Sequence, residues 1–357
     1  MPDFTSSLYL GLRHAHAGLK PWATLTSGAP AGLLVPRAAR SVARRIAALQ
    51  GCEGAILAPS TLHLFWDLFG TPRTRSWELF VDAGAYAVAR WGAERAAGMG
   101  VPAHRFGHHD PESLVRSMSE RKAGRRRPVV VADGVCPSCG SVAPAKPFLQ
   151  AVERRGGLVV LDDTQAFGIL GHSPTPGQPY GVGGGGSVRF HTTEGRRILM
   201  VSSMAKAFGV PMAVFSGSRD LVGSFEAESE TRMHCSPVSF ADLAAAEQAI
   251  EVNERFGASI RERLVGLVRR FRHGIGESAI ETSGHFPVQT LARSPGVDPW
   301  VLHRDLATWG IHTVLHRPGC GDGVRVSVLI TARHTAGQID EVVDAIARTV
   351  PGTRTEG

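Results

Sequence analysis

An α/β fold built on a mostly parallel sheet is predicted by three features of this 357-residue chain. Short apolar runs, each a candidate buried strand, alternate with helical patterns. The runs are closed by small, acidic or turn-forming residues, as in Gly157-Leu-Val-Val-Leu-Asp162. A hydrophobic content of 43% over this length is enough to bury a substantial core and to divide it into two lobes.

Taken in order, residues 36–49 read as an amphipathic helix and Gly54 to Ala58 as a short buried strand. Ser60-Thr61 opens a second helix through Leu62, Phe65 and Leu68. Strands follow at 78–81, 129–132, 158–161, 198–202 and 213–217, with helices between them, as at 145–155. A long helix is expected over 241–256 and a separate one over 260–275, followed by strands at 288–292 and 324–328. This change of pattern places a lobe boundary near 255. The expected organisation is a segment 1–40 packing with the small lobe, a large cofactor-binding domain at 41–255 and a small C-terminal domain at 256–357.

Composition narrows the function classes. No run of about 18 apolar residues is present, which argues against a membrane helix. The N-terminus lacks a basic flank followed by an apolar stretch, so a cytoplasmic protein is expected. The excess of 39 Lys and Arg over 32 Asp and Glu gives +7. Much of it clusters in 121–127, without interleaved aromatic residues, so a solvated loop is expected rather than a nucleic-acid surface. The minority reading of that run is a docking patch for an acidic carrier domain or a coenzyme A phosphate. The five cysteines have no regular framework and are expected reduced. Cys136-Pro-Ser-Cys139 has the spacing of a redox or zinc pair, but no second such pair or His pair accompanies it in the sequence, so it is taken as loop and no metal is expected.

The chemistry rests on an amine and a carboxylate. Lys206 lies in Met200-Val-Ser-Ser-Met-Ala-Lys206-Ala-Phe-Gly209, just after one predicted strand, and Asp162 ends another. A lysine amine can hold an aldehyde cofactor as an imine and, once displaced, can move the α-proton of a substrate. A carboxylate against a pyridine nitrogen keeps that nitrogen protonated and makes the ring an electron sink. These are the requirements of pyridoxal 5'-phosphate (PLP). Ser60 and Thr61, at a strand-to-helix junction, are candidates for the phosphate, because first-turn N–H groups and the helix dipole stabilise an anion.

The motifs Tyr9-Leu-Gly-Leu12, Arg105-Phe-Gly-His-His-Asp110, Asp133-Gly-Val135, Gly140-Ser-Val-Ala-Pro144, Asp162-Asp-Thr-Gln-Ala-Phe-Gly168, Ser203-Met-Ala-Lys206-Ala-Phe-Gly209, Val324-Arg325-Val-Ser-Val and Thr331-Ala-Arg-His-Thr335 resemble those of the α-oxoamine synthase family. The resemblance covers nearly the whole chain. It implies a fold-type I, aspartate aminotransferase-like PLP transferase: a large domain with a mostly parallel seven-stranded sheet and a smaller α+β C-terminal domain. It implies Lys206 for the cofactor imine and Asp162 for the pyridinium nitrogen, with Asp163 the nearby competitor. Ser203 would lie beside the phosphate, and Ser236 would reach the phosphate of a second subunit, so a homodimer with shared active sites is implied. Arg325 would grip the substrate carboxylate; its alternative is a structurally paired strand arginine.

Three positions depart from the family. Tyr86 stands in place of a ring-stacking His, Gln165 in place of the His at the cofactor's phenolic oxygen, and Pro137 in place of a Ser. An amide at Gln165 can still donate, and Asp-x-x-Gln is the form found in sugar aminotransferases. Two enzyme readings follow. The first is an acyltransferase joining an amino acid to an acyl thioester, of coenzyme A or a carrier protein, by decarboxylative Claisen-type bond formation. The second is an aminotransferase or other α-carbanion chemistry. A non-catalytic cofactor-fold protein is the third reading.

Overall fold

The computed structural model describes residues 2–120, 126–191, 196–294 and 296–349. Most of the basic run at 121–127 therefore lies outside the described residues. Seven strands form the large sheet: β1 (Gly54–Ala58), β2 (Trp77–Asp82), β3 (Ala103–Phe106), β4 (Arg127–Asp133), β5 (Leu158–Asp162), β6 (Ile198–Ser203) and β7 (Ala213–Gly217). Their order is β1-β7-β6-β5-β4-β2-β3, and only β7 runs antiparallel to its neighbours. The central strands are continuous apolar runs because helices cover both faces. Leu158, Val159, Val160 and Leu161 of β5 are all buried, each contributing about 1.5–3 kcal/mol on leaving water.

Helices α1 (Arg37–Gln50), α2 (Thr61–Gly70), α3 (Ala87–Gly98), α4 (Pro111–Ser119), α5 (Ala145–Glu153), α6 (Ser187–Phe190), α7 (Arg219–Glu228) and α8 (Thr231–His234) connect or flank these strands. Local chemistry sets several of their ends. Gly51 closes α1 in the left-handed conformation at φ 71°. Asp110 caps α4 by accepting from Ser113 N, with Pro111 at the first helical position.

Helix α9 (Phe240–Ile275) runs unbroken for 36 residues, which corrects the expectation of two helices meeting near 257. No proline interrupts it, and the residues around the expected change of pattern are held in place. Asn253 donates to the carbonyl of Gly183, and Arg261 donates to the carbonyl of Gly168 and to Asn253. These bonds, made to loops that follow β5, offset the roughly 1 kcal/mol that Gly257 costs in a helix interior. Position 255 thus falls inside the helix.

Beyond α9 a three-stranded antiparallel sheet, in the order β8-β10-β9, is formed by β8 (Val288–Thr290), β9 (Val314–His316) and β10 (Arg325–Leu329). It packs with α10 (Pro299–Thr308) and α11 (Ala336–Thr349). The first residues of the chain join this end: Phe4 N donates to His312 O, Leu329 N to Phe4 O and Ala332 N to Tyr9 O. The next stretch turns to the segment after β6 and to residues 240–275, where His14 meets the carbonyl of Phe208 and Lys20 pairs with Glu247. Among the described residues no helix is long and apolar enough to cross a membrane.

Candidate active site

Parallel strands deliver their last side chains to one edge of the sheet, where ligands of open α/β sheets bind. Here the row reads Asp82 at the end of β2, Asp133 at the end of β4, Asp162 at the end of β5 and Ser203 at the end of β6. Asp133 and Asp162 are register partners. Lys206 follows Ser203 in a tight turn closed by Gly209 N donating to the Lys206 carbonyl.

Lys206 is half-buried and lies in the charge field of Asp162 and Asp133. Burial lowers its pKa, and the two carboxylates oppose that drop. Asp162 is 5% exposed. Burial raises its pKa, while hydrogen bonding to Thr164 and the Lys206 charge draw it back. Asp133 is raised well above the carboxylate range, by burial first and by Asp162 second. Both carboxyls are thus raised by burial; Asp133 is raised further by the Asp162 charge, and Asp162 is drawn back by the Lys206 charge.

Asp163 faces elsewhere. Strand alternation turns it onto Ser187, whose N–H and hydroxyl both donate to its carboxylate. Thr164 ties the two strand ends together by accepting from Ser203 N at 3.0 Å. Gly168, at φ 89°, lets the loop after β5 press on the segment after Lys206; a side chain there would meet the Ala207 Cβ at 2.5 Å.

Ser60 is the N-cap of α2, yet its hydroxyl bonds His63 Nδ1 at 2.8 Å and makes no cap to the backbone. The first turn, beginning at Thr61, thus keeps its N–H groups for an anion. Tyr86 stands at the N-cap position of α3 and is 58% exposed as a residue, while its backbone N–H donates to Asp133 Oδ1 at 2.9 Å. Gln165 accepts from the buried Tyr9 hydroxyl at 2.7 Å. Burial pushes the Tyr9 phenol well above its ordinary range, so it stays a donor and the Gln165 amide N–H₂ is left to donate elsewhere. An amine, a buried carboxylate and an uncapped helix N-terminus make up the donor set that PLP asks of a protein.

Two predicted site residues lie apart. Ser236 is exposed, between α8 and α9. Arg325 is buried in β10, where Nε donates to Glu281 Oε2 at 2.5 Å and Nη1 to the carbonyls of Asp322 and Val324. It borders a cavity with Ser278, Arg293 and Trp300, and none of Lys206, Asp162, Tyr86 or Gln165 lines that cavity. In this arrangement Arg325 is paired with Glu281, and a substrate carboxylate that it gripped would displace that partner.

Sequence reading passed over Asp133 and Tyr9 as site residues. Asp133 stands there only as part of a motif, and the parallel register is what sets it beside Asp162. Tyr9 approaches Gln165 from the other end of the chain. The fold also brings His108 and Cys320, from distant parts of the sequence, to Cys136 and Cys139.

A family model for aminotransferase class I and II matches residues 80–346. An 8-amino-7-oxononanoate synthase from Halorhodospira halophila is 29% identical over 262 residues, covering 71% of this chain and 61% of the relative. One from Aromatoleum aromaticum is 28% identical over 250 residues, covering 69% and 61%. The chain thus matches about three fifths of the length of these curated relatives. Among solved structures, a serine palmitoyltransferase from S. paucimobilis aligns with a TM-score of 0.82 at 17% identity, over 97% of this chain and 86% of that one. An 8-amino-7-oxononanoate synthase from Francisella tularensis aligns with a TM-score of 0.75 at 17% identity, over 98% and 97%. These likenesses show the fold, and they match the fold-type I architecture expected from the motifs.

Proposed function

We propose a reaction from one premise: the chain belongs to the aminotransferase class I and II family. Within it, this protein acts as a PLP-dependent acyltransferase of the α-oxoamine synthase kind, joining an amino acid to an acyl thioester with loss of carbon dioxide and release of the thiol. The observation that carries the reading is the half-buried Lys206 amine set against the buried Asp162 carboxylate on adjacent strand ends. The similarity to 8-amino-7-oxononanoate synthases selects the reaction class.

When bound, the cofactor supplies an electron sink for a carbanion at the substrate α-carbon. Lys206 Nζ anchors the aldehyde and then carries the α-proton, a task suited to an amine whose pKa is lowered by burial. Asp162, buried and in the charge field of Lys206, would face the ring nitrogen and keep it protonated. Ser60, Ser203 and the first turn of α2 at Thr61 hold the phosphate, and Ser236 reaches the phosphate of a partner subunit in a homodimer. Gln165, fixed by Tyr9, donates to the phenolic oxygen, and the exposed Tyr86 ring offers a face for stacking. A cytoplasmic site of action fits this reading.

The test is a screen of proteinogenic amino acids with acyl-coenzyme A esters, reading free thiol and carbon dioxide together. Thiol and carbon dioxide released in step, only with both substrates, support the acyltransferase. A 2-oxo acid formed without thiol release would establish the second reading, an aminotransferase, which the amide at Gln165 favours.

A further inference from the structure

We propose that His108, Cys136, Cys139 and Cys320 bind one zinc ion, which staples the loop after β4 to the loop between β9 and β10. The imidazole and three thiols offer one ligand atom each, and all four atoms lie within 4.8 Å of one another. Cys136 Sγ is 3.4 Å from Cys320 Sγ, and Cys139 Sγ is 3.4 Å from His108 Nε2. A tetrahedron with the Zn–S and Zn–N lengths usual in proteins has edges of about 3.5–3.8 Å, so the ligands need only settle around the ion. All five cysteines are free thiols.

The surroundings are built for coordination. His108 Nδ1 lies 2.7 Å from Asp82 Oδ1, and Asp82 is 1% exposed. That bond places the ring proton on Nδ1 and turns the Nε2 lone pair toward the sulfurs, the carboxylate–histidine arrangement that supports metal-bound imidazole. Cys136 and Cys139 bracket a tight turn in which Gly140 N donates to Cys136 O. Gly140 has φ 73°, and a side chain there would strike the Ser283 carbonyl at 2.4 Å. Ser141 Oγ lies 3.0 Å from Cys139 Sγ, within reach to support a thiolate. The loop carrying Cys320 passes close to the β2 end, where a Cβ on Gly319 would lie 2.9 Å from the Gly84 carbonyl. His109 is not a ligand, since its two nitrogens meet Ser141 Oγ and the Asp133 carbonyl.

Coordination displaces the thiol protons to solvent and involves no redox step. The site stands independently of the reaction proposed above. It also bears on that reaction, because Asp133, three residues before Cys136, holds the backbone of Tyr86.

The full chain, grown with zinc and purified without chelator, is examined by native mass spectrometry and atomic emission. The expected result is one zinc per chain, seen as the mass of the ion less its displaced protons. Cobalt exchanged into the protein should give the visible bands of tetrahedral thiolate coordination. Cys139→Ser and Cys320→Ser should lose the ion, while Cys52→Ser and Cys235→Ser retain it. Should the first two variants be insoluble, cobalt uptake by chelator-stripped wild type decides. A folded wild type that contains no zinc and takes up no cobalt overturns the proposal, as does a Cys136–Cys320 disulfide in freshly purified protein.

Discussion

Lys206 and Asp162 come from strands that pair directly, β6 and β5, and each sits in a contiguous motif. The thiol and imidazole cluster a few residues away draws on positions 108, 136, 139 and 320, which belong to three separate segments of the chain. One cluster keeps an amine and two acids in tension through burial; the other holds soft ligands around a common point. On the readings proposed above, reactivity belongs to the first and the bracing of its wall to the second.

The sharpest way to break this division is Lys206→Ala. It should lower thiol release by about 10⁴-fold, within the range of a lost proton-transfer group, and leave the melting temperature nearly unchanged. An unfolded variant would make Lys206 a structural residue. Asp162→Asn comes next, with an expected loss of about 10³-fold in kcat/KM, or ~4 kcal/mol of transition-state stabilisation, again with little change in melting.

Asp163 tests the same strand from its other face. Its carboxyl is raised from 3.8 to about 7, chiefly by burial. Between those values the native state holds a proton that the unfolded state has lost, so stability should fall as pH rises from about 4 to about 7 and then level off. The fall from this group is at most ~4 kcal/mol. Denaturant titrations across that range should show Asp163→Asn removing this part of the slope; an unchanged slope would mean the carboxyl is ionised in the fold. The smallest effect is expected from Tyr9→Phe. Losing one hydrogen bond to Gln165, worth about 1 kcal/mol, should lower kcat/KM about fivefold without preventing cofactor absorbance. No change would show that Gln165 needs no support.

What the sequence made legible follows the same contrast. β1 and β7 are found with the predicted bounds, because a buried strand is a short apolar run closed by turn residues. The closeness of Lys206 and Asp162 was legible because Asp162 ends such a run and Lys206 follows another. β3 was missed because it is a half-exposed edge strand, Ala103–Phe106, with His104 and Arg105 at its centre. The partners of Arg325 and of the cysteine pair were hidden for a different reason. Glu281, His108 and Cys320 arrive by tertiary packing, and no local periodicity encodes which distant side chain will meet another.

Helix α9 places Leu243, Ala246 and Ile250 in one apolar cluster and Leu264, Val268 and Phe271 in another. Its rise of about 1.5 Å per residue makes it a rod of roughly 54 Å, and each residue advances the azimuth by about 100°. The two clusters are therefore locked in phase, like cams on one shaft. Inserting a single alanine between Asn253 and Arg261 would rotate the second set of cams out of its seats while leaving every side chain in either cluster intact. The length of this helix is as much a determinant of the fold as its composition.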